Sequence, residues 1–199
     1  MNLGTLLARS KRLFRNAYLD LRYGAFLGGT RKTPYSHLGI EDTANTDYGV
    51  LPLIFTGRIR DSDVLVDIGC GKGRVINWWL SQGLCNRIIG IEIDEGVAAA
   101  TRRRLARFGN VEIIAGDVIQ HLPSEGTLFY LFNPFKAFAV EAFKNRLAQL
   151  VSGRKDVTIL YYNCVHAEVF GLDPNWLVYK VELTSAYNFH PLAVIQWRG

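Results

Sequence analysis

The stretch Val64-Leu-Val-Asp67-Ile-Gly69-Cys-Gly71-Lys-Gly73-Arg74-Val75 carries the densest chemistry in the chain. An apolar run ends in a carboxylate, glycines follow at alternate positions, and a helical pattern then begins. Glycine reaches turn conformations closed to other residues and lets a ligand approach the main chain. A helix starting there points free N–H groups and a positive dipole end at the turn. Asp67 aims a negative charge at the same place. A ligand bearing both an ammonium and a carboxylate suits this arrangement better than a diphosphate does. The dinucleotide fingerprint Gly-x-Gly-x-x-Gly/Ala needs a small third residue. Counted from Gly69 that position is Arg74, so the spacing does not match.

Three further apolar runs end in polar groups. Arg87-Ile-Ile-Gly90-Ile-Glu92-Ile-Asp94 places Glu92 about 20 residues beyond the turn, where a carboxylate binds ribose hydroxyls. Val111-Glu-Ile-Ile-Ala ends in Gly116-Asp117-Val118, and Thr127-Leu-Phe-Tyr-Leu-Phe132 ends in Asn133-Pro134-Phe135. Taken in this order, the four motifs resemble those of the class I S-adenosylmethionine-dependent methyltransferases. The resemblance runs over roughly residues 60–199. The wording is similar to small bacterial members of that group whose acceptor is unassigned.

The resemblance implies an α/β fold: a Rossmann-like, doubly wound sheet of seven strands with helices on both faces. The sheet is mostly parallel, with an antiparallel strand from a C-terminal hairpin. It implies S-adenosylmethionine as cofactor. Asp67 and the backbone of Gly69, Gly71 and Gly73 would hold the methionine end, and Glu92 the ribose. Asp117 would accept from the adenine amino group, with the Val118 N–H available to a ring nitrogen. Each has a plainer alternative: Asp67 and Asp117 as helix caps, Glu92 as a solvated charge.

Methyl transfer from a sulfonium is an in-line displacement, so the protein mainly positions an acceptor lone pair behind the methyl. Asn133-Pro134-Phe135 resembles the Asn/Asp-Pro-Pro-Tyr/Phe motif of amino-methylating members, with one proline in place of two. Asn133 could accept hydrogen bonds from an amine, and Phe135 could stack on a flat acceptor. Alternatively the segment is a strand-to-helix turn with a packed aromatic. Tyr161-Tyr-Asn-Cys164-Val-His166 opens at the same sheet edge, where His166 is a candidate base or a structural residue.

The elements that must position these groups alternate. Strands are expected near 64–68, 88–92, 111–115, 127–132 and 156–163, and helices near 49–59, 73–82, 95–108 and 137–152. The segments Trp176–Thr184 and Pro191–Trp197 read as a terminal hairpin joined by Ser185 to His190. Residues 24–48 read as a loop or lid, with Tyr35, Thr43 and Tyr48 as candidate pocket residues. The chain divides into a basic N-terminal helix and lid segment over 1–59 and a methyltransferase domain over 60–199, compact as a whole.

The chain has 199 residues, 49% hydrophobic and 21% charged, with a net charge of +5. That is ordinary for one globular domain. Its basic character is local: residues 1–32 hold seven Lys/Arg against one acid, Asp20. Within 3–23, Leu3, Leu7, Phe14, Tyr18 and Leu21 recur at helical spacing between the cations. Such a helix docks its stripe on the domain or a second subunit, rests on an anionic membrane surface, or meets an anionic substrate. No apolar run reaches the roughly 18 residues of a membrane span, and the N-terminus lacks a signal-peptide core. The expected location is cytoplasmic, with peripheral membrane contact through residues 1–23 as the alternative. The three cysteines share no metal-like spacing, and no metal site is expected.

The expected activity is methyl transfer to a small-molecule acceptor, such as a sugar or glycolipid intermediate. The alternatives are a protein lysine N-methyltransferase and a non-catalytic S-adenosylmethionine-binding module. A nucleic-acid acceptor is disfavoured because the cations gather on the arm and not over the domain. The oligomeric state is left open.

Overall fold

The computed structural model describes residues 3–29, 32, 34–40, 45–183 and 190–199. The described elements are helix α1 (Leu3–Arg22), helix α2 (Leu51–Phe55), strand β1 (Leu65–Ile68), helix α3 (Arg74–Ser81), strand β2 (Ile88–Glu92), helix α4 (Glu95–Leu105), strand β3 (Val111–Ala115), helix α5 (Val118–His121), strand β4 (Leu128–Phe132), helix α6 (Ala137–Leu150), strand β5 (Thr158–Tyr162), helix α7 (Glu168–Gly171), strand β6 (Trp176–Val181) and strand β7 (Leu192–Trp197).

The strands form one sheet in the order β3-β2-β1-β4-β5-β7-β6. The first five are parallel, and β7 inserts antiparallel between β5 and β6. Order reverses between β1, which pairs with β2, and β4, on its other side. Ligands of open α/β sheets bind at the carboxyl edge of such a switch point.

The period of two along each strand sorts the core onto two faces. Val66, Ile68, Ile89, Ile91, Phe129, Leu131, Ile159 and Tyr161 pack on one face with Val140, Phe143 and Leu147 of α6. Leu65, Ile88, Ile113, Leu128, Tyr130, Leu160 and Tyr162 pack on the other with residues of α2, α3 and α4. Burial on both faces explains why β1 and β2 read as continuous apolar runs. Val50, Leu51, Ile54 and Phe55 are all buried in the second cluster, so the end of the expected arm belongs to the core.

One expectation needs correction. The apolar stripe of α1 does not dock on the domain: Leu13, Phe14, Tyr18 and Leu21 are exposed. The helix docks by a polar edge. Asp20 is fully buried against Arg74 at the start of α3. Asn16, Arg12 and Arg15 reach Asp47.

Candidate active site

The turn between β1 and α3 is built on left-handed backbone. Gly69, Gly71 and Gly73 have φ of +69°, +51° and +73°, which explains glycine at alternate positions. A Cβ on Gly69 would lie 3.3 Å from the Pro134 Cβ, so the tip of β4 closes directly on the turn.

Asp67 projects from β1 beneath this turn. It is 3% exposed, and no hydrogen-bond donor meets its carboxylate among the described residues. Burial first, and the nearby Glu92 carboxylate second, push its pKa up to about 8. A buried carboxylate without a donor is costly, and a cationic ligand group would relieve that cost.

Glu92, at the end of β2, lies across the turn. Its Oε2 accepts from the Gly71 N–H at 2.8 Å and its Oε1 from the Asp94 N–H at 2.9 Å. A carboxylate offers about four acceptor sites, so Glu92 can still accept from a sugar hydroxyl. Burial raises the Glu92 pKa, and the backbone donors of Asp94, Gly71 and Ile93 oppose that rise. The Cys70 thiol is buried beside these acids and held well above its ordinary pKa, so it stays protonated.

Asp117 follows β3 and caps α5, its Oδ1 accepting from the Ile119 N–H at 2.9 Å. Its second oxygen is left for another donor. Val118 is the first residue of α5, and its side chain is buried in the core. Gly116 donates to the Glu92 carbonyl, so the ends of β2 and β3 are tied together.

Asn133 and Asn163 sit at the tips of adjacent parallel strands with φ of +38° and +52°. Asparagine tolerates this region better than most residues, and such backbone gathers at functional sites. The Tyr161 hydroxyl donates to Asn133 Oδ1 at 2.9 Å and accepts from the His166 backbone N–H. One phenol thus ties together the two tips that carry Asn133 and His166. The His166 imidazole itself faces Glu168, with Nδ1 3.7 Å from Oε1.

Phe135 is buried against Phe143, with ring centroids 6.2 Å apart, and pairs through its backbone with Ile40. It therefore packs; the ring that lines the depression beside Asp67 is Phe132, with Tyr130, Asn45 and Thr46. Phe132 was not legible as a site residue because it continues an apolar strand.

The arm roofs the edge. Lys72 Nζ donates to the carbonyls of Leu27 and Gly28 at 3.4 and 3.0 Å. Arg104 of α4 donates to the carbonyls of Tyr23 and Lys72 and to the Asn77 side chain. Lys136 N–H donates to the Gly39 carbonyl at 2.7 Å, and the Thr46 hydroxyl meets the Tyr130 hydroxyl at 2.8 Å. Tyr48 lies under Arg74 and accepts from Asn77. Tyr35 starts a short helical turn, and Thr43 lies outside the described residues.

These groups fit the cofactor that the resemblance implies. Asp67, unmet among the described residues, would face its ammonium end and Glu92 its ribose, while the Gly71 and Gly73 N–H groups are already taken by Glu92 Oε2 and the Cys70 carbonyl. Replacing Glu92 with Gln turns one acceptor into an amide donor opposed to a backbone N–H. Affinity for S-adenosylhomocysteine should fall about 10- to 100-fold by calorimetry. Unchanged affinity would remove Glu92 from the site.

Comparison with known proteins agrees with this geometry. The family described as "Methyltransferase domain" matches residues 65–153. The chain is 36% identical over 62 residues to ribosomal RNA small subunit methyltransferase A of Thermotoga neapolitana, covering 31% of this chain and 23% of that protein. It spans less than half the length of the curated relatives it matches. Among solved structures, an RNA methyltransferase from Salinibacter ruber in complex with S-adenosyl-L-homocysteine superposes with a TM-score of 0.57 at 22% identity, over 77% of this chain and 92% of that one. The O-methyltransferase of tomaymycin synthesis from Streptomyces achromogenes, in complex with S-adenosylmethionine, gives 0.59 at 13% identity, over 94% and 99%. Residues 65–153 thus match a methyltransferase domain, and the chain has a Rossmann-like fold similar to that of these solved methyltransferases.

Proposed function

We propose that this chain is an S-adenosylmethionine-dependent methyltransferase acting on a compact, small-molecule acceptor. The observation that carries the first half is the buried Asp67 facing the glycine turn, without a donor among the described residues, with Glu92 on the turn's far side. The arm supports the second half. Contacts from Leu27, Gly28, Gly39, Ile40 and Thr46 cover the carboxyl edge and leave a small depression beside Asp67, Tyr130 and Phe132. An edge covered in this way is reached more readily by a compact acceptor such as a sugar than by a folded macromolecule.

When bound, the cofactor supplies a methyl group already activated on a sulfonium. The chain's own residues do the rest. Asp67 would hold the methionine end of the donor and Glu92 its ribose, both beside the tip of β4. Asn133 is fixed by Tyr161, which occupies one lone pair of Oδ1. The second lone pair and the amide N–H groups remain to hold an acceptor in line. Covering the edge keeps water from the reacting atoms.

The test is transfer of labelled methyl from S-adenosylmethionine into a cell lysate separated into protein, nucleic-acid, lipid or glycan, and small-molecule fractions. Label in the lipid, glycan or small-molecule fraction is expected. Label only in protein would favour lysine methylation, and label only in nucleic acid would overturn the compact-acceptor reading. With the acceptor in hand, Asn133→Ala should leave cofactor affinity within about twofold and lower turnover about 100-fold. Tyr161→Phe should lower turnover about tenfold through Asn133. Unchanged turnover in both would place the acceptor site elsewhere.

A further inference from the structure

Helix α1 has two working faces. Its polar edge is spent on the domain, through Asp20, Asn16 and Arg12. Leu13, Phe14, Ala17, Tyr18 and Leu21 recur at three- and four-residue spacing on the other side. That spacing forms one continuous stripe along the helix. Phe14 is 76% exposed and Leu21 61%, and Phe26, beyond the helix end, is exposed as well. Isolated exposed apolar residues are ordinary, but a contiguous row of large ones marks an interaction surface.

The charge beside the stripe says what covers it. Lys11 and Arg22 line one border, both exposed, with Arg15 between them paired to Asp47. The helix's single acid, Asp20, is buried under Arg74 and shows no charge to the outside. Arg107 lies next to Arg22 and adds to the same border. A second copy of this helix laid across the stripe would bring cation against cation, since a two-fold interface repeats the same patch on both sides. An anionic surface meets the same border favourably, while aromatic and leucine side chains enter the boundary between headgroups and acyl chains. No described helix is long and apolar enough to cross a membrane, so α1 would lie on such a surface.

We propose that the outward face of α1 docks this protein on an anionic bilayer surface. The docked helix is also clamped to the glycine turn through Asp20–Arg74, and the following loop through Lys72. Membrane contact therefore sets the carboxyl edge of the sheet close to the lipid interface. The inference concerns where the chain sits, and it holds whether or not the methyl-transfer reading does.

The experiment is co-sedimentation of the full chain with vesicles of phosphatidylcholine alone and of phosphatidylcholine with 30% phosphatidylglycerol (about a physiological anionic fraction). Two variants accompany it, Phe14→Ser with Leu21→Ser, and Lys11→Glu with Arg22→Glu. Both alter exposed residues, and S-adenosylhomocysteine affinity and the thermal midpoint report that they fold. Wild type should bind the anionic vesicles, bind the neutral ones far more weakly, and release as salt is raised. The charge variant should lose at least about thirtyfold in partition, and the apolar variant at least about tenfold. Three results would overturn the proposal: no binding to anionic vesicles; binding that the apolar variant leaves intact; or a dimer in solution that the apolar variant dissociates, which would assign the stripe to a second copy.

Discussion

Replacing Asp20 with Ala should destabilise the protein by about 3–5 kcal/mol, the typical cost of removing one partner from a buried ion pair. The pair is bidentate: Arg74 Nε donates to Oδ1 at 3.1 Å and Nη2 to Oδ2 at 2.5 Å. Asp20 is 0% exposed and Arg74 7%. The Leu27 N–H also donates to Oδ2 at 3.1 Å, so alanine would leave a guanidinium and a backbone amide unmet. The half-exposed pairs of Arg12 and Arg15 with Asp47 should contribute less than about 1 kcal/mol each. Urea unfolding would measure both. The double replacement Asp20→Leu with Arg74→Met should recover most of the loss, because it removes both charges together. A loss below about 1 kcal/mol for Asp20→Ala would mean that the arm is not clamped through this pair.

Asp67→Asn should separate stability from binding. The Asp67 pKa is raised in the folded protein to about 8, against 3.8 for the ordinary group. A group so raised holds its proton in the folded chain where the unfolded chain has released it. Its contribution to stability is present below pH 4 and is lost as pH rises toward 8. Asparagine does not ionise, so the ligand-free variant should melt above wild type. The gap should widen from pH 4 to pH 8, reaching at least about 3 °C at the upper end. The same change should weaken S-adenosylhomocysteine binding about 10- to 100-fold, because it removes the charge that meets the ammonium. Wild type should also release a proton on binding near pH 7, as the arriving cation lowers the Asp67 pKa. Calorimetry in buffers of different ionisation enthalpy reads that proton. A variant that binds as well as wild type would show that Asp67 does not face the ligand.

What was legible in the sequence depended on whether the cause was local. β1 through β5 were readable because each is an apolar run closed by turn residues, and the glycine turn because positive φ at 69, 71 and 73 leaves few other choices. Asp67 and Glu92 follow from those boundaries, since each is the polar residue at the end of a buried strand. The short helices α5 and α7 were missed, being four residues each and without a period. The apolar stripe of α1 is its stronger local signal, but it does not face the domain. The contact that holds the helix is an ion pair between residues 54 apart in sequence, which leaves no pattern. A signal was nonetheless there, in one acid among seven cations and one arginine, the only charged residue of its helix, opening α3. Tyr161 was hidden in the same way, within a strand and 28 residues from the Asn133 it positions.

Titration of the full chain with S-adenosylhomocysteine, alongside Asp67→Asn and Glu92→Gln, tests the cofactor site most directly. The expected result is binding at one site per chain that both variants weaken while remaining folded. Absence of binding, or binding that both variants leave unchanged, would contradict the assignment of this edge of the sheet to the methyl donor.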